Sequence, residues 1–130
     1  MKIKSNVKKE IWHYWNLEKK FLVEVCKWEE YGKVHWNKYL YLYPGHPEFG
    51  KYLPTENRCF PETPWDWNYG ITFYTEIFDR DGKIKYQKFG DDYAHIWDEE
   101  NPVDSEGTRV FADAERLINT LEENYDDRSN

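Results

Sequence analysis

The sequence predicts an α+β fold: an antiparallel sheet of about five strands, a meander plus a hairpin, packed under one C-terminal helix. Three observations carry that expectation. Aromatic-rich runs of alternating character fill residues 11–43 and are separated only by short polar turns. An Asp81-Gly82 pair lies between two further alternating runs, the signature of a tight hairpin. Residues 108–123 alone carry apolar side chains at a sustained helical spacing.

The elements follow in order. Residues 1–9 are lysine-rich and are expected to fray. The segment around residues 10–17 fits two periods: Val7, Ile11, Tyr14 and Trp15 would share a helical face, whereas Trp12, Tyr14 and Asn16 would share a strand face. Its density of aromatic and β-branched residues favours the strand. After a Glu18-Lys19-Lys20 turn, residues 21–27 place Phe21, Val23 and Val25 on one face and Leu22, Glu24 and Cys26 on the other. A turn at Tyr31-Gly32-Lys33 leads to residues 34–43, the most regular strand, which Pro44 stops. Beyond the Pro44-Gly45-His46-Pro47 turn, residues 48–67 hold Pro54, Pro61 and Pro64 and read as a long loop. A loop of ~20 residues is uncommon in a compact domain and is usually functional. Residues 70–78 resume a strand, and residues 83–89 return from the hairpin with Ile84, Tyr86 and Lys88 on one face. An acidic loop then runs to the helix. There Val110, Phe111, Ala114, Leu117, Ile118 and Leu121 form the stripe, and Ser105 or Thr108 can cap it. Residues 125–130 are expected to be a disordered tail. A chain of 130 residues is most simply one domain.

Composition narrows the function. Aromatic residues make up 19% of the chain, with seven Trp and eleven Tyr, so the core is built from few large side chains. The net charge of −7 is concentrated after residue 97, where eleven acids face three arginines. That balance argues against general nucleic-acid binding, which draws its affinity from phosphate contacts. It allows a basic partner, or only a solvated helix face. Cys26 and Cys59 stand apart with no metal-binding spacing and read as free thiols of a reducing compartment. No leader-like apolar segment and no apolar run of ~18 residues is present, so a cytoplasmic protein without a membrane span is expected.

The densest polar cluster is Gly90, Asp92, His95 and Asp98, a G-x-D-x-x-H-x-x-D spacing inside an aromatic segment. With His35 or His46 these side chains could hold a divalent metal and a hydrolytic water. They could equally read the polar edges of an organic ligand, or do no more than close a turn. Trp65 and Trp67 in the proline-rich loop are the rings best placed to stack on a ligand, and Arg58 and Arg109 the cations best placed to meet a phosphate. No phosphate-binding glycine loop or nucleophile elbow is present, so neither a cofactor nor a nucleophile is assigned.

Four segments in order resemble a known family. The run from His35-Trp36-Asn37-Lys38-Tyr39 to Tyr43-Pro44-Gly45-His46-Pro47 resembles its "GHWCGYVxVPxGHPxYGK" motif. Asn68-Tyr69-Gly70-Ile71-Thr72-Phe73 resembles "HGGLTF", residues 90–98 resemble "GFDCAHxGD", and the closing helix is similar as well. The family consists of small uncharacterised proteins of bacteriophages and prophages, and the likeness spans roughly residues 20–124. It implies motif roles for His35, His46, Pro47, Gly70, Thr72, Gly90, Asp92, His95 and Asp98. It departs where the family has His-Gly-Gly and this chain has Asn68-Tyr69-Gly70, which turns the expectation from catalysis toward binding. The resemblance implies a counter-defence protein in the cytoplasm of a bacterial host. It would be a homo-oligomer that sequesters a small nucleotide-derived signal through Asp92, His95, His46, His35, Trp65, Trp67, Arg58 and Arg109. The alternatives are a metal-dependent hydrolase of such a molecule, and an acidic inhibitor that docks on a host defence protein.

Overall fold

The computed structural model describes residues 7–124, which form five strands and two helices. The strands are β1 (Val7–Asn16), β2 (Phe21–Glu30), β3 (Lys33–Leu42), β4 (Phe73–Phe78) and β5 (Ile84–Asp92); the helices are α1 (Ile96–Glu100) and α2 (Thr108–Asn124). All neighbours are antiparallel in the order β1-β2-β3-β5-β4, so the meander is extended by a hairpin whose second strand docks on β3. The α+β architecture read from the sequence is the one observed. Strand β1 starts earlier than expected: Val7, Lys8 and Lys9 already pair with β2, where fraying was anticipated. The remaining residues of that stretch, and the expected tail at 125–130, lie outside the described residues.

Period-2 alternation gives the sheet two unlike faces. Phe21, Val23 and Val25 of β2, Trp36, Leu40 and Leu42 of β3, and Phe89 of β5 are buried on the covered face. Each such side chain contributes roughly 1.5–3 kcal/mol when fully removed from water. Two layers share the covering. Helix α2 lays Val110, Ala114, Leu117 and Leu121 over β1–β3, with the Phe111 ring edge-on to Trp12 and Trp36 at 5.2 and 6.0 Å. The long connection between β3 and β4 folds down over β5, where Trp65 packs edge-on against Tyr52 and Phe89 at 5.4 and 6.1 Å. The expected long loop is thus a second half of the core. It is pinned by Gln87, which is fully buried: its amide oxygen accepts from Gly50 N at 2.8 Å and its amide nitrogen donates to the Tyr52 carbonyl at 3.1 Å.

Among the described residues the opposite face has no helix over it. Glu24 is nonetheless buried there, held by His13 at 2.9 Å and by the Tyr41 hydroxyl at 3.2 Å. Lys88 lies over Tyr39, Tyr41 and Phe73 at 4.2, 5.0 and 5.4 Å from the ring centroids. Desolvation raises the Tyr39 phenol to about 12, so it stays protonated beside that cation.

The hairpin closes as its sequence predicts. Asp79 Oδ1 accepts from Asp81 N and Lys83 N at 2.8 and 3.0 Å, and Gly82 takes a positive φ of 80°. Gly90 serves packing, since a Cβ there would lie 2.4 Å from the Tyr39 ring. Gly90→Ala is therefore expected to lower the unfolding free energy by about 1–3 kcal/mol, as overpacking does, read from urea denaturation midpoints at constant m.

Candidate functional site

A cleft of about 710 Å³ opens between residues 64–69 and helix α2. That volume falls within the ~300–1,000 Å³ typical of small-molecule sites. One wall is formed by Trp67, Asn68 and Tyr69, the other by Arg109, Asp113 and Arg116 of α2, and Lys38 of β3 reaches it from below.

The site is built on a buried ion pair. Lys38 lies in phase with Trp36, Leu40 and Leu42, so its strand directs it into the core. Asp91 lies in phase with Gln87 and Phe89 on β5, directly across the sheet. Their side chains are 1% and 0% exposed, with Lys38 Nζ 3.0 Å from Asp91 Oδ2. Burial raises the Asp91 carboxyl above the ordinary carboxylate range; the Lys38 charge pulls the other way without cancelling it. Lys38 also donates to the Tyr93 hydroxyl at 3.5 Å, and its ammonium lies 5.4 Å from the centre of the Trp67 ring. Burial, with Asp91 and Asp113 nearby, raises the Tyr93 phenol strongly, so Tyr93 keeps its proton and donates it to Asp113 Oδ2 at 2.6 Å. Asp113 in turn pairs with Arg116 on the solvent side of α2.

Asn68 ties the loop to this base. Its main-chain N–H donates to Asp91 Oδ2 at 2.6 Å, and its side-chain amide donates to the Asp92 carbonyl at 2.8 Å and to Asp98 Oδ2 at 2.9 Å. Asp98 is buried, accepts from His95 N at 3.0 Å and pairs with Arg109 at 2.6 Å. One asparagine thereby joins the loop wall, β5, α1 and, through Asp98, the first turn of α2. Tyr69, next in the chain, is held at a φ of +61° and stays 60% exposed on the cleft rim, its ring 5.1 Å from His95.

The residues singled out by sequence divide into groups. Trp65, Trp67 and Arg109 border the cleft, although Trp65 is a core ring and not the loop-borne ligand contact expected. Asp92 and His95 stand behind the Tyr69 wall with His95 Nε2 3.4 Å from Asp92 Oδ1, and Asp92 Oδ1 accepts from Ala94 N at 3.1 Å. Asp92 thereby closes a turn at the end of β5. His35 stacks on Trp28 at 4.0 Å and borders a second hollow of about 480 Å³ at the other side of Tyr93. His46 lies beyond the opposite end of β3, buried against Phe21. His35 lies near the start of that strand, Asp92 is paired with Asn37 at its middle and His46 lies past its far end, about 25 Å from His35 at ~3.3 Å per residue, so the four polar residues do not converge. Arg58 pairs with Glu62 at 2.5 Å in the exposed part of the loop. Among the described residues no group of three His, Cys, Asp or Glu side chains is placed to hold a metal ion. Cys26 is buried and Cys59 exposed, and the two are not joined. The expected acidic loop after His95 contains α1, and Asp98, Asp104 and Asp113 are spent on internal contacts to Arg109, Thr108 and Tyr93.

Lys38, Asp91, Tyr93 and Asp113 escape the sequence reading, and Asn68 enters it only as a departure from the resembled motif. The available signal is a lysine, and just before Asp92 a glutamine-phenylalanine-aspartate alternation, in the core phase of otherwise apolar strands. Comparison with family models, with curated proteins and with solved structures finds no match to this chain. The functional reading rests on the site itself.

Two outcomes test this geometry. Removing either partner of the buried pair, by Lys38→Met or Asp91→Leu, is expected to cost about 3–5 kcal/mol. The double variant is expected to recover most of that loss, which a double-mutant cycle in urea would show as a coupling energy of opposite sign to the single losses. His46 supplies the second. Its Nδ1 accepts from Glu48 N at 3.0 Å, and desolvation lowers its pKa from 6.5 to about 4. The unfolded chain takes up that proton below pH 6.5 and the folded chain only near pH 4. The contribution is thus complete above the higher value and is lost as pH falls between the two, on the order of 3 kcal/mol at most. His46→Asn keeps an acceptor for Glu48 N and removes the titration. Its stability, measured across the same interval, is expected to fall less steeply with acid than that of the parent.

Proposed function

We propose that the protein is a binding protein that captures a small, ring-bearing, nucleotide-derived molecule in the cleft between residues 64–69 and α2. The observation that carries the reading is the pairing of walls: aromatic faces on one side and guanidinium and amide groups on the other, above a buried lysine. Tyr69 offers an exposed ring at the rim and Trp67 a ring anchored by its indole N–H to Thr63 Oγ1 at 2.7 Å. A nucleobase stacked on either would gain roughly 1–3 kcal/mol. Arg116 is 73% exposed and pairs with Asp113 at the surface, so it can turn to a phosphate at little desolvation cost.

The lining cations Lys38, Arg109 and Arg116 are matched by Asp66, Asp113 and Glu123. A near-neutral cleft favours a ligand held by its ring over one held by many phosphates, and its affinity would vary weakly with salt. No group in the cleft is set up as a nucleophile, since Lys38 is committed to Asp91; this favours capture over turnover. The setting, sequestration of an immune signal by a bacteriophage protein in the cytoplasm of its host, is supported by the resemblance of the four motifs. No helix among the described residues is long and apolar enough to cross a membrane.

The test is a thermal-shift panel of nucleosides, cyclic dinucleotides and ADP-ribose derivatives. Ligand at a hundredfold over Kd stabilises by about 2.7 kcal/mol, which moves Tm by several degrees for a chain of this size. At least one member is expected to produce such a shift and to be recovered chemically intact after denaturation. Tyr69→Ala or Trp67→Ala is expected to weaken that ligand by about 1–3 kcal/mol. A flat response across the panel would overturn the reading, and recovery of a cleaved ligand would replace it with hydrolysis.

A further inference from the structure

The outer edge of β1 is a strand edge that nothing covers among the described residues. Natural sheets blunt exposed edges with short strands, bulges, prolines or charge. The opposite edge, β4, follows that rule: it is six residues long and its pairing slips between Ile77 and Phe78. Strand β1 does not. It runs ten residues in unbroken register with β2, has no proline, and carries no residue of positive φ. Four large apolar side chains are exposed on it: Ile11 47%, Trp12 39%, Tyr14 40% and Trp15 41%. Their alternation puts Trp12 and Tyr14 on the helix side and Ile11 and Trp15 on the open side, so water meets apolar surface on both faces of the strand at once. Only a further strand laid alongside would cover both.

The charge on this edge says which strand. Its beginning carries Lys8 and Lys9, followed by Glu10. Beside its end lies Glu122 of α2, whose carboxylate is held by two neutral donors, the Tyr14 hydroxyl and Asn16 Nδ2, the latter at 2.8 Å. Lys19 reaches the main-chain carbonyl of Glu122 and not its carboxylate. Neither Lys8 nor Glu122 takes part in an ion pair among the described residues. The edge therefore carries two lysines toward one end and the Glu122 carboxylate beside the other, with a ring-rich centre. That is the pattern an antiparallel, two-fold contact complements with itself, because the operator brings each end against the opposite end of the copy.

We propose that the protein forms a homodimer by antiparallel pairing of β1 with β1 of a second copy, making one continuous ten-stranded sheet. Antiparallel pairing keeps opposed residues on the same face. With the two-fold axis at Trp12, Lys8 stands opposite Asn16 of the second copy and next to its Glu122. Lys9 stands opposite Trp15 as a cation over a ring, Glu10 stands opposite Tyr14, and Ile11 stands opposite His13. The two Trp12 rings, each already stacked on its own Trp36 at 6.0 Å, meet at the axis. The lysines that would repel an arbitrary strand become the register marks of this one. The binding cleft lies between the loop and α2, away from this edge, so dimerisation leaves it open.

The experiment is sedimentation equilibrium on the full chain and on two charge reversals, Lys8→Glu and Glu122→Lys, with far-UV circular dichroism confirming that each remains folded. The parent is expected to sediment as a dimer. Each variant alone opposes like charges at both symmetric contacts and is expected to dimerise at least tenfold more weakly. An equimolar mixture of the two is the decisive arm. In the mixed dimer the introduced glutamate of one variant meets the introduced lysine of the other, while the native pair forms at the second contact. Parental affinity is therefore expected to return. A monomeric parent at 100 μM, single variants that dimerise as well as the parent, or a mixture that stays weak would each overturn the proposal. If a charge reversal unfolds the chain, Trp15→Lys, at an exposed position outside the Glu122 contacts, is expected to give a folded monomer, and a persistent dimer there would overturn it equally.

Discussion

The burial of Lys38 against Asp91 is the constraint on which the rest of the site depends. Two opposite charges removed from water cost several kcal/mol each before their attraction is counted. Such a pair is tolerated only where the surrounding groups are fixed, and here they are fixed from four elements. Strands β3 and β5 supply the charges from directly opposed positions. The loop supplies Asn68 N to the same carboxylate oxygen, and Tyr93 carries the network on to Asp113 of α2. A long connection without regular structure is held to the sheet because a buried carboxylate needs its N–H. The cleft exists because loop and helix are both tied to one pair and do not close across it.

Strand β5 does the same at a second level. Gln87, Phe89 and Asp91 all point to the covered side, and the two polar members fasten the loop at residues 50–52 and at residue 68, with an apolar contact to Trp65 between them. The loop thereby takes the place of a second helix, and the sheet needs α2 over only half of its breadth. The uncovered face is closed differently, by broad aromatic side chains shielding Glu24 and Lys88. This accounts for a chain that reaches 19% aromatic residues at only 39% hydrophobic content: rings cover polar groups as well as each other.

Strand alternation, the Asp-Gly turn and the helical stripe are all legible in the sequence, because each depends on neighbours within ~2–11 residues. The site is legible only in part. Trp67 and Arg109 stand out as a ring and a cation without an obvious core role. The motif spacing runs through 92, 95 and 98 and so favours Asp92 over Asp91, yet strand phase sends Asp91 inward and Asp92 outward. His35 and His46 match as partners by residue type, and β3 separates them along its length. Trp65 reads as a loop ring available to a ligand because nothing local shows that the loop folds back over Phe89.

The sequence by itself determined the fold class, an antiparallel sheet of about five strands and their succession along the chain, and the closing helix. Those are consequences of periodicity and turn chemistry, which act over short distances. Only the tertiary structure decided that a lysine in the core phase would meet an aspartate 53 positions later, that Asn68 would bind both to the loop, and that β1 would be left with an open edge. Those outcomes depend on which strands become neighbours, and that arrangement is set by the packing of the whole sheet and by no segment alone.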